Sequence, residues 1–235
     1  MKERGMIFNG EMVRALLDGS KTQTRRPVGE NLKDIFDWLG GDASEDEEIF
    51  SEISICSVSD IDRLNEETGK TYKYSGMLAC NAEYPEEGYE EITCPFGQIG
   101  DRIWVRETFA SIFKDEGPVC YRATDSSMHS GAWKPSIHMP RWASRITLEI
   151  TDIRVERIQD ISEQDAIAEG VKGLEKSLAG GTEKIDPDSG LEFAMIMDPK
   201  FCYQLLWNSI YGNWNENPWV WVIEFKRIDT QQEAA

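Results

Sequence analysis

In the stretch GSKTQTRRP, residues 19–27, a lysine and a threonine stand three positions apart, Lys21 and Thr24, followed at once by Arg25 and Arg26. These residue types suit two kinds of chemistry. A lysine ammonium kept from water and close to another cation such as Arg25 loses proton affinity, so it can serve as a base toward a nearby hydroxyl or water. Thr24 is then either the nucleophile or the group that orients a water, and loop N–H groups or Arg25 can stabilise the developing oxyanion. The other chemistry is simple binding, with Lys21 and Arg25 contacting a phosphate or other anion and Thr24 acting as a turn residue. K-x-x-T is a short pattern, and its spacing leaves both open.

Further candidates lie along the chain. Arg102 and Arg106 form one basic group, and Lys134, Arg141 and Arg145 another, with Trp133 and Trp142 close by in sequence to stack on bases. His138 sits between two prolines in PSIHMPRW, where a rigid loop can present it to a pocket or simply hydrogen-bond it. Glu107 follows Arg106 as either a second acid at the site or a salt-bridge partner. Arg25, Arg26, Glu107, His138, Arg141 and Arg145 are therefore the expected substrate contacts. A formal net charge of −18 argues against tight, sequence-independent binding of long nucleic acids, which rests on many phosphate contacts. A modified nucleoside, a nucleotide or a short RNA end suits the chain better.

Other classes are disfavoured. The five cysteines are scattered with no C-x-x-C pair and no Cys/His cluster of zinc spacing, so neither a disulfide framework nor a metal is expected, and no cofactor is called for. No apolar run of membrane-spanning length and no leader-like start is present, which predicts a cytoplasmic protein without membrane contact.

The elements that must position these residues are punctuated clearly. Residues 10–18 read as a short helix, with Met12, Val13, Leu16 and Leu17 at helical spacing and Gly19 as its C-terminal stop. GDRIWVRETFA, 100–110, alternates like a strand. SRITLEITDIRVERI, 144–158, places Ile146, Leu148 and Ile150 on one face and resumes one residue out of phase at Ile153 and Val155, which predicts a bulge or bend. A helix over 162–170 opens on Ser162 and closes on Gly170, and another over 198–212 opens on Asp198-Pro199, carries Phe201, Leu205 and Ile210 on one side and ends at Gly212. The near-continuous apolar NPWVWVIEFKRI reads as a buried strand, with Trp207, Trp214, Trp219 and Trp221 in the core. Residues 28–95 hold 18 of the acidic side chains against four basic ones and read as a solvated acidic insertion, open to a basic protein partner. A second insertion is expected at 172–197 and a tail at 229–235.

LLDGSKTQTRR after a helix, GDRIWVRETF, RITLEITDIRVERI, SEQDAIAEG and a closing WVIEF strand together resemble the ASCH superfamily, and KPSIHMPRWASRI resembles its longer phage and prophage proteins. The resemblance covers roughly 1–27, 96–171 and 198–228. It implies an α+β fold built on a small PUA-like β-barrel with flanking short helices, as one domain over 1–228. In the superfamily's small N(4)-acetylcytidine amidohydrolases a lysine, a threonine three positions on and a glutamate on a later short helix carry catalysis. Lys21 and Thr24 match the first two, and alignment of the ISEQDAIAE helix places Glu169 at the third. The resemblance thus implies an amidohydrolase acting on a modified nucleoside, with Glu169 protonating the leaving amine. A non-catalytic RNA- or nucleotide-binding module, or a phage accessory protein using its acidic insertion, remain the alternatives.

Overall fold

In the computed structural model the described residues are 1–39, 53–65, 68–85, 88–111, 118–125, 131–171 and 198–228. The second insertion and the C-terminal tail fall outside them. Five strands form one sheet: β1 (Glu3–Ile7), β2 (Gln23–Pro27), β6 (Arg102–Arg106), β9 (Thr147–Arg157) and β10 (Trp219–Ile228), in the order β1-β6-β9-β10-β2. β1 runs parallel to β6 and the other pairs are antiparallel. Among the described residues β1 and β2 form the ends of this order, and the architecture is mixed α+β.

β10 gives the sheet two buried faces. Trp219, Trp221 and Ile223 join the main core with Phe8, Ile103, Leu148 and Val155, while Val220 and Val222 pack on the opposite face against Tyr203, Leu206 and Trp207. A strand buried on both faces has no need of polar alternation, which is why its sequence is almost continuously apolar. The expected phase shift in β9 is a bulge: Glu224 pairs with Asp152 and Phe225 with Ile150, leaving Thr151 as the extra residue. That extra residue returns Ile150 and Ile153 to the same core.

Helix α1 (Gly10–Asp18) starts where the Asn9 side chain accepts the Met12 N–H and stops at Gly19, whose φ of 81° only a glycine adopts without strain. Its Val13 and Leu16 are buried in the main core. The helix over 162–170 is also observed: it follows the four-residue α3 (Arg122–Asp125) in chain order as α4 (Glu163–Ala168), with Ser162 capping the Asp165 N–H and Gly170 in the left-handed region beyond it. Helix α5 (Pro199–Ile210) begins at its Asp198 cap, but its buried face is Cys202, Tyr203, Leu206 and Trp207. Leu205 and Ile210 are exposed, so the expected face is rotated; the larger aromatic area at positions 203 and 207 sets the docking.

The acidic segment departs from the expectation of a solvated insertion. It contains helix α2 (Glu30–Leu39) and a three-stranded sheet of β3 (Ile53–Asn65), β4 (Lys70–Asn81) and β5 (Glu90–Ile92). Phe36, Leu39, Ile53, Met77, Ala79 and Ile92 lie in the same core cluster as the five-stranded sheet. Phe36 meets the edges of Trp221 and Trp219, and the Asp37 carboxylate accepts both Trp219 Nε1–H at 2.7 Å and Arg157 at 2.9 Å. Glu30, Asp34, Asp62, Glu90 and Glu91 are exposed on elements whose buried positions are apolar. A small ribbon of β7 (Phe109–Ser111) and β8 (Val119–Tyr121) completes the strands.

Gly170 is the tightest junction between α1 and α4. With φ of 87°, an added Cβ would lie 2.7 Å from the Ala15 Cβ and 3.1 Å from the Lys21 Cβ. Gly19 shares the left-handed backbone but has open space around it. Gly170→Ala is therefore expected to cost about 2–5 kcal/mol, combining left-handed strain of about 1–2 with overpacking of about 1–3. Gly19→Ala should show the strain alone, about 1–2 kcal/mol. Equal losses in denaturant unfolding would show that packing at Gly170 contributes nothing.

Candidate functional site

Lys21 and Glu169, 148 residues apart, are drawn together by backbone as well as side chains. The turn after α1 is fixed by Lys21 N–H donating to the Ala15 carbonyl at 3.0 Å, and Thr22 N–H donates to the Ala168 carbonyl at 2.9 Å. Lys21 and Glu169 then form an isolated antiparallel bridge. Within it the Lys21 ammonium donates to Glu169 Oε2 at 2.7 Å and to the Glu169 carbonyl at 2.8 Å. The second bond satisfies a carbonyl that the end of α4 leaves without a helical partner, and a cation is favoured at that helix end.

Arg25, next on β2, completes the cluster. Its guanidinium lies 3.4 Å from Glu169 Oε1, 2.8 Å from Glu156 Oε2 and 3.3 Å from Asp165 Oδ2. Gln23 Nε2 donates to the Asp165 carboxylate and carbonyl, and Arg154 bridges Glu156, Glu224 and Asp165 from the adjoining strand. Lys21, Gln23, Thr24, Arg25 and Glu169 are each no more than 3% exposed. Charges this deep persist only when paired, and here each has its counter-ion within hydrogen-bonding range. The positive turn at 19–27 thus places Lys21 and Arg25 against internal carboxylates.

Burial pushes the Lys21 ammonium below its ordinary value of 10.5, against the opposing pull of Glu169, and Arg26 and Arg25 lower it further. Burial also acts against charge on Arg25, but Glu169 and Glu156 outweigh it and its proton is held more firmly than usual. Asp165 is lowered despite desolvation because Arg25, Ser162 and Gln23 stabilise its carboxylate. The Tyr203 phenol is held well above 10, first by burial and then by Glu169.

On one side of the cluster is a small cavity lined by Met12, Thr24, Arg25, Arg26, Glu169, Tyr203, Leu206, Trp207, Ile210 and Tyr211. Its volume of about 10 Å³ holds roughly one water. Thr24 and Glu169 thus face one space, and Lys21 sits directly behind Glu169. Arg26 closes the edge, donating to Tyr211 Oη at 3.4 Å and to the Ile7 carbonyl at 2.7 Å while its guanidinium lies over the Phe8 ring. The aromatic wall has a signal in the sequence that the reading above did not use: Tyr203, Trp207 and Tyr211 recur every fourth residue, with centroids 6.3 and 4.4 Å apart. Trp207 is therefore both core and cavity wall, while Trp214, Trp219 and Trp221 are core alone.

The remaining expected contacts lie elsewhere. Glu107 is 2% exposed and takes a bidentate ion pair from Arg145 at 2.9 and 3.0 Å, with the Arg145 guanidinium 4.0 Å above the Tyr121 ring. Arg141 is held by Glu3 at 2.9 Å. His138 is exposed in a short 3₁₀ turn beside a groove lined by Phe109, Lys134 and Trp142. None of these four touches the Lys21 cluster, because the turn over 136–145 packs against β7, β8 and the end of β6 instead. Among the described residues no group of three or more His, Cys, Asp or Glu could hold a metal ion, and no helix is long and apolar enough to cross a membrane.

Comparison with family models, curated proteins and solved structures finds no match. Glu169→Leu removes the counter-ion of Lys21 and one of those of Arg25, and is expected to destabilise by about 3–5 kcal/mol. Lys21→Met leaves Glu169 paired with Arg25 and should cost less. The Lys21→Met/Glu169→Leu double variant should recover part of the Glu169→Leu loss, as measured by a double-mutant cycle of unfolding free energies. Additive losses would mean the two side chains do not share one interaction.

Proposed function

We propose that this chain is an amidohydrolase acting on a modified nucleoside or related small amide, with the site at Lys21, Thr24 and Glu169. The observation that supports it most is the direct Lys21–Glu169 contact behind a cavity that Thr24 and Glu169 both line. The ASCH resemblance supports the same three residues, and with it a PUA-like barrel as the ancestry of the sheet.

The chemistry follows from the pair. Lys21 Nζ and Glu169 Oε2 stand 2.7 Å apart, and burial lowers the proton affinity of the Lys21 amine, which makes it the proton acceptor of the pair. The attacking oxygen, that of Thr24 or of a water bonded to it, gives its proton to the pair as it adds to the amide carbon. Glu169 returns a proton to the nitrogen as the C–N bond breaks. Where Thr24 is the nucleophile, water then attacks the acyl-threonine, giving its proton to the pair, and the pair passes that proton to Thr24 Oγ as the ester C–O bond breaks. Arg25 holds Glu169 in place from its other oxygen.

A nucleoside needs far more room than one water. Substrate entry therefore requires α5 and its cap Tyr211 to move away from β2, opening the wall made by Tyr203, Trp207 and Tyr211. A second reading, a non-catalytic RNA-binding module, is favoured by the exposed groove where Trp142 and His138 stand beside Lys134.

Incubation with N(4)-acetylcytidine and a panel of acylated nucleosides is expected to release the free amine. Lys21→Ala, Thr24→Val and Glu169→Gln should each lower kcat/KM by about 10²–10⁴. Because Lys21 must give up its proton, kcat/KM should rise with pH and level off below 10.5, the ordinary lysine value. No turnover on any substrate, together with RNA binding that survives Lys21→Ala, would establish the binding module instead.

A further inference from the structure

A second cavity, of about 380 Å³, opens where β1 meets α1, and it differs in kind from the first. Its walls include Ile7, Phe8 and Ala123, apolar groups suited to a flat ring. Glu107 reaches it from the end of β6, and Arg14 and Arg122 stand at its mouth. The size falls within the range of small-molecule sites and well above what solvent alone requires.

The charges at this cavity are arranged unlike those at Lys21. Arg14 donates to the Ala123 carbonyl at 3.1 Å, and neither Arg14 nor Arg122 makes an ion pair among the described residues. Both are exposed. In a chain with 43 acidic and 25 basic side chains, two guanidinium groups at one opening with no ion pair among the described residues are a pointed departure from the surrounding charge. They offer an anion what Lys21 and Arg25, already paired, do not. At the inner end Arg145 occupies one acceptor position on each Glu107 oxygen. A carboxylate has about four such positions, so Glu107 can still accept an N–H from a ligand. Thr108 and Ser136 also line the space.

We infer that this cavity is a nucleotide-binding site that holds a phosphate on Arg14 and Arg122, a base against Phe8 and Ala123, and an exocyclic amino group on Glu107. An amino group donates to the carboxylate, whereas the oxo group of the matching base would set a second acceptor against it. Adenine and cytosine therefore fit and their oxo counterparts, hypoxanthine and uracil, are rejected. The site is separate from the Lys21 cluster and does not depend on the hydrolytic reading. The two are neighbours, since Arg26 donates to the Ile7 carbonyl and covers Phe8 from the other side.

Calorimetric titration of the full chain with AMP, IMP, CMP and UMP tests the site. The amino member of each pair should bind at least about tenfold more tightly, the scale of one unsatisfied buried polar contact. Arg122→Ala should weaken AMP by a similar factor and leave adenosine unchanged, because only the phosphate is lost. Glu107→Gln should narrow the AMP/IMP ratio, since an amide can donate as well as accept. Should Glu107→Gln fail to fold, Arg14→Ala with AMP and adenosine repeats the phosphate test at an exposed residue. Lys21→Ala, scored separately for deacylation, should leave AMP affinity intact. The dinucleotide ApU alongside AMP distinguishes an RNA residue from a free nucleotide by which binds more tightly. Equal binding of AMP and IMP, no effect of either arginine, or loss of AMP binding in Lys21→Ala would each overturn the proposal.

Discussion

The buried contact between Lys21 and Glu169 constrains more of this molecule than any other single interaction. An ammonium and a carboxylate taken out of water each carry a desolvation penalty of several kcal/mol, and the geometry must be close to ideal for their attraction to offset it. That requirement fixes the turn after α1, the end of α4 and the first residues of β2 relative to one another. Gly170 exists to let the backbones approach, and Ser162, Gln23 and Arg154 hold the neighbouring Asp165 so that Arg25 can brace the outer oxygen of Glu169. The hydrophobic faces of β10 supply the frame on which this polar cluster is hung. Its Val222 stands opposite Arg25 and its Ile223 opposite Thr24, so the strand that anchors the core also sets the register of the site.

Charge in this protein is sorted by depth and by partner. The acids of α2 and the β3–β5 sheet lie outside an apolar underside that joins the main core, so a strongly negative composition coexists with ordinary packing. The buried acids Asp101, Glu107 and Glu169 are each matched to an arginine or lysine, and the two cavities differ in what is left over. At the first, the cations are consumed by internal carboxylates. At the second, Glu107 is consumed only in part and two guanidinium groups remain free of ion pairs among the described residues. These are complementary chemistries placed on either side of Phe8 and Arg26.

Much of the frame was legible in the residues. Caps at Ser162 and Asp198 and stops at Gly19, Gly170 and Gly212 bound the helices where the structure has them, because capping is a local interaction that the neighbouring residues settle. The phase slip between Ile150 and Ile153 announced the bulge at Thr151, since side-chain direction alternates strictly along a strand. What local pattern did not disclose is pairing over distance. Leu32, Ile35, Phe36 and Leu39 recur at helical spacing within the acidic segment, but the density of carboxylates around them masked that period. The meeting of Lys21, Thr24 and Glu169 was suggested only by resemblance. The capture of Arg145 by Glu107 and of Arg141 by Glu3 depends on how the turn over 136–145 is laid down, which no spacing encodes.

The placement of β10 between β9 and β2 also bears on the order in which the sheet can assemble during synthesis. β2 emerges early from the ribosome but finds no ladder partner until residues beyond 219 have followed, nearly the whole described chain later. Until then Lys21 and Arg25 are hydrated cations on a loose segment, and β9 lacks the strand that pairs with it from Thr147 to Arg157. Such long-range closure is slow to form relative to local helices and hairpins. Arrest or proteolysis ahead of β10 consequently yields a polypeptide with exposed strand edges for chaperones to hold.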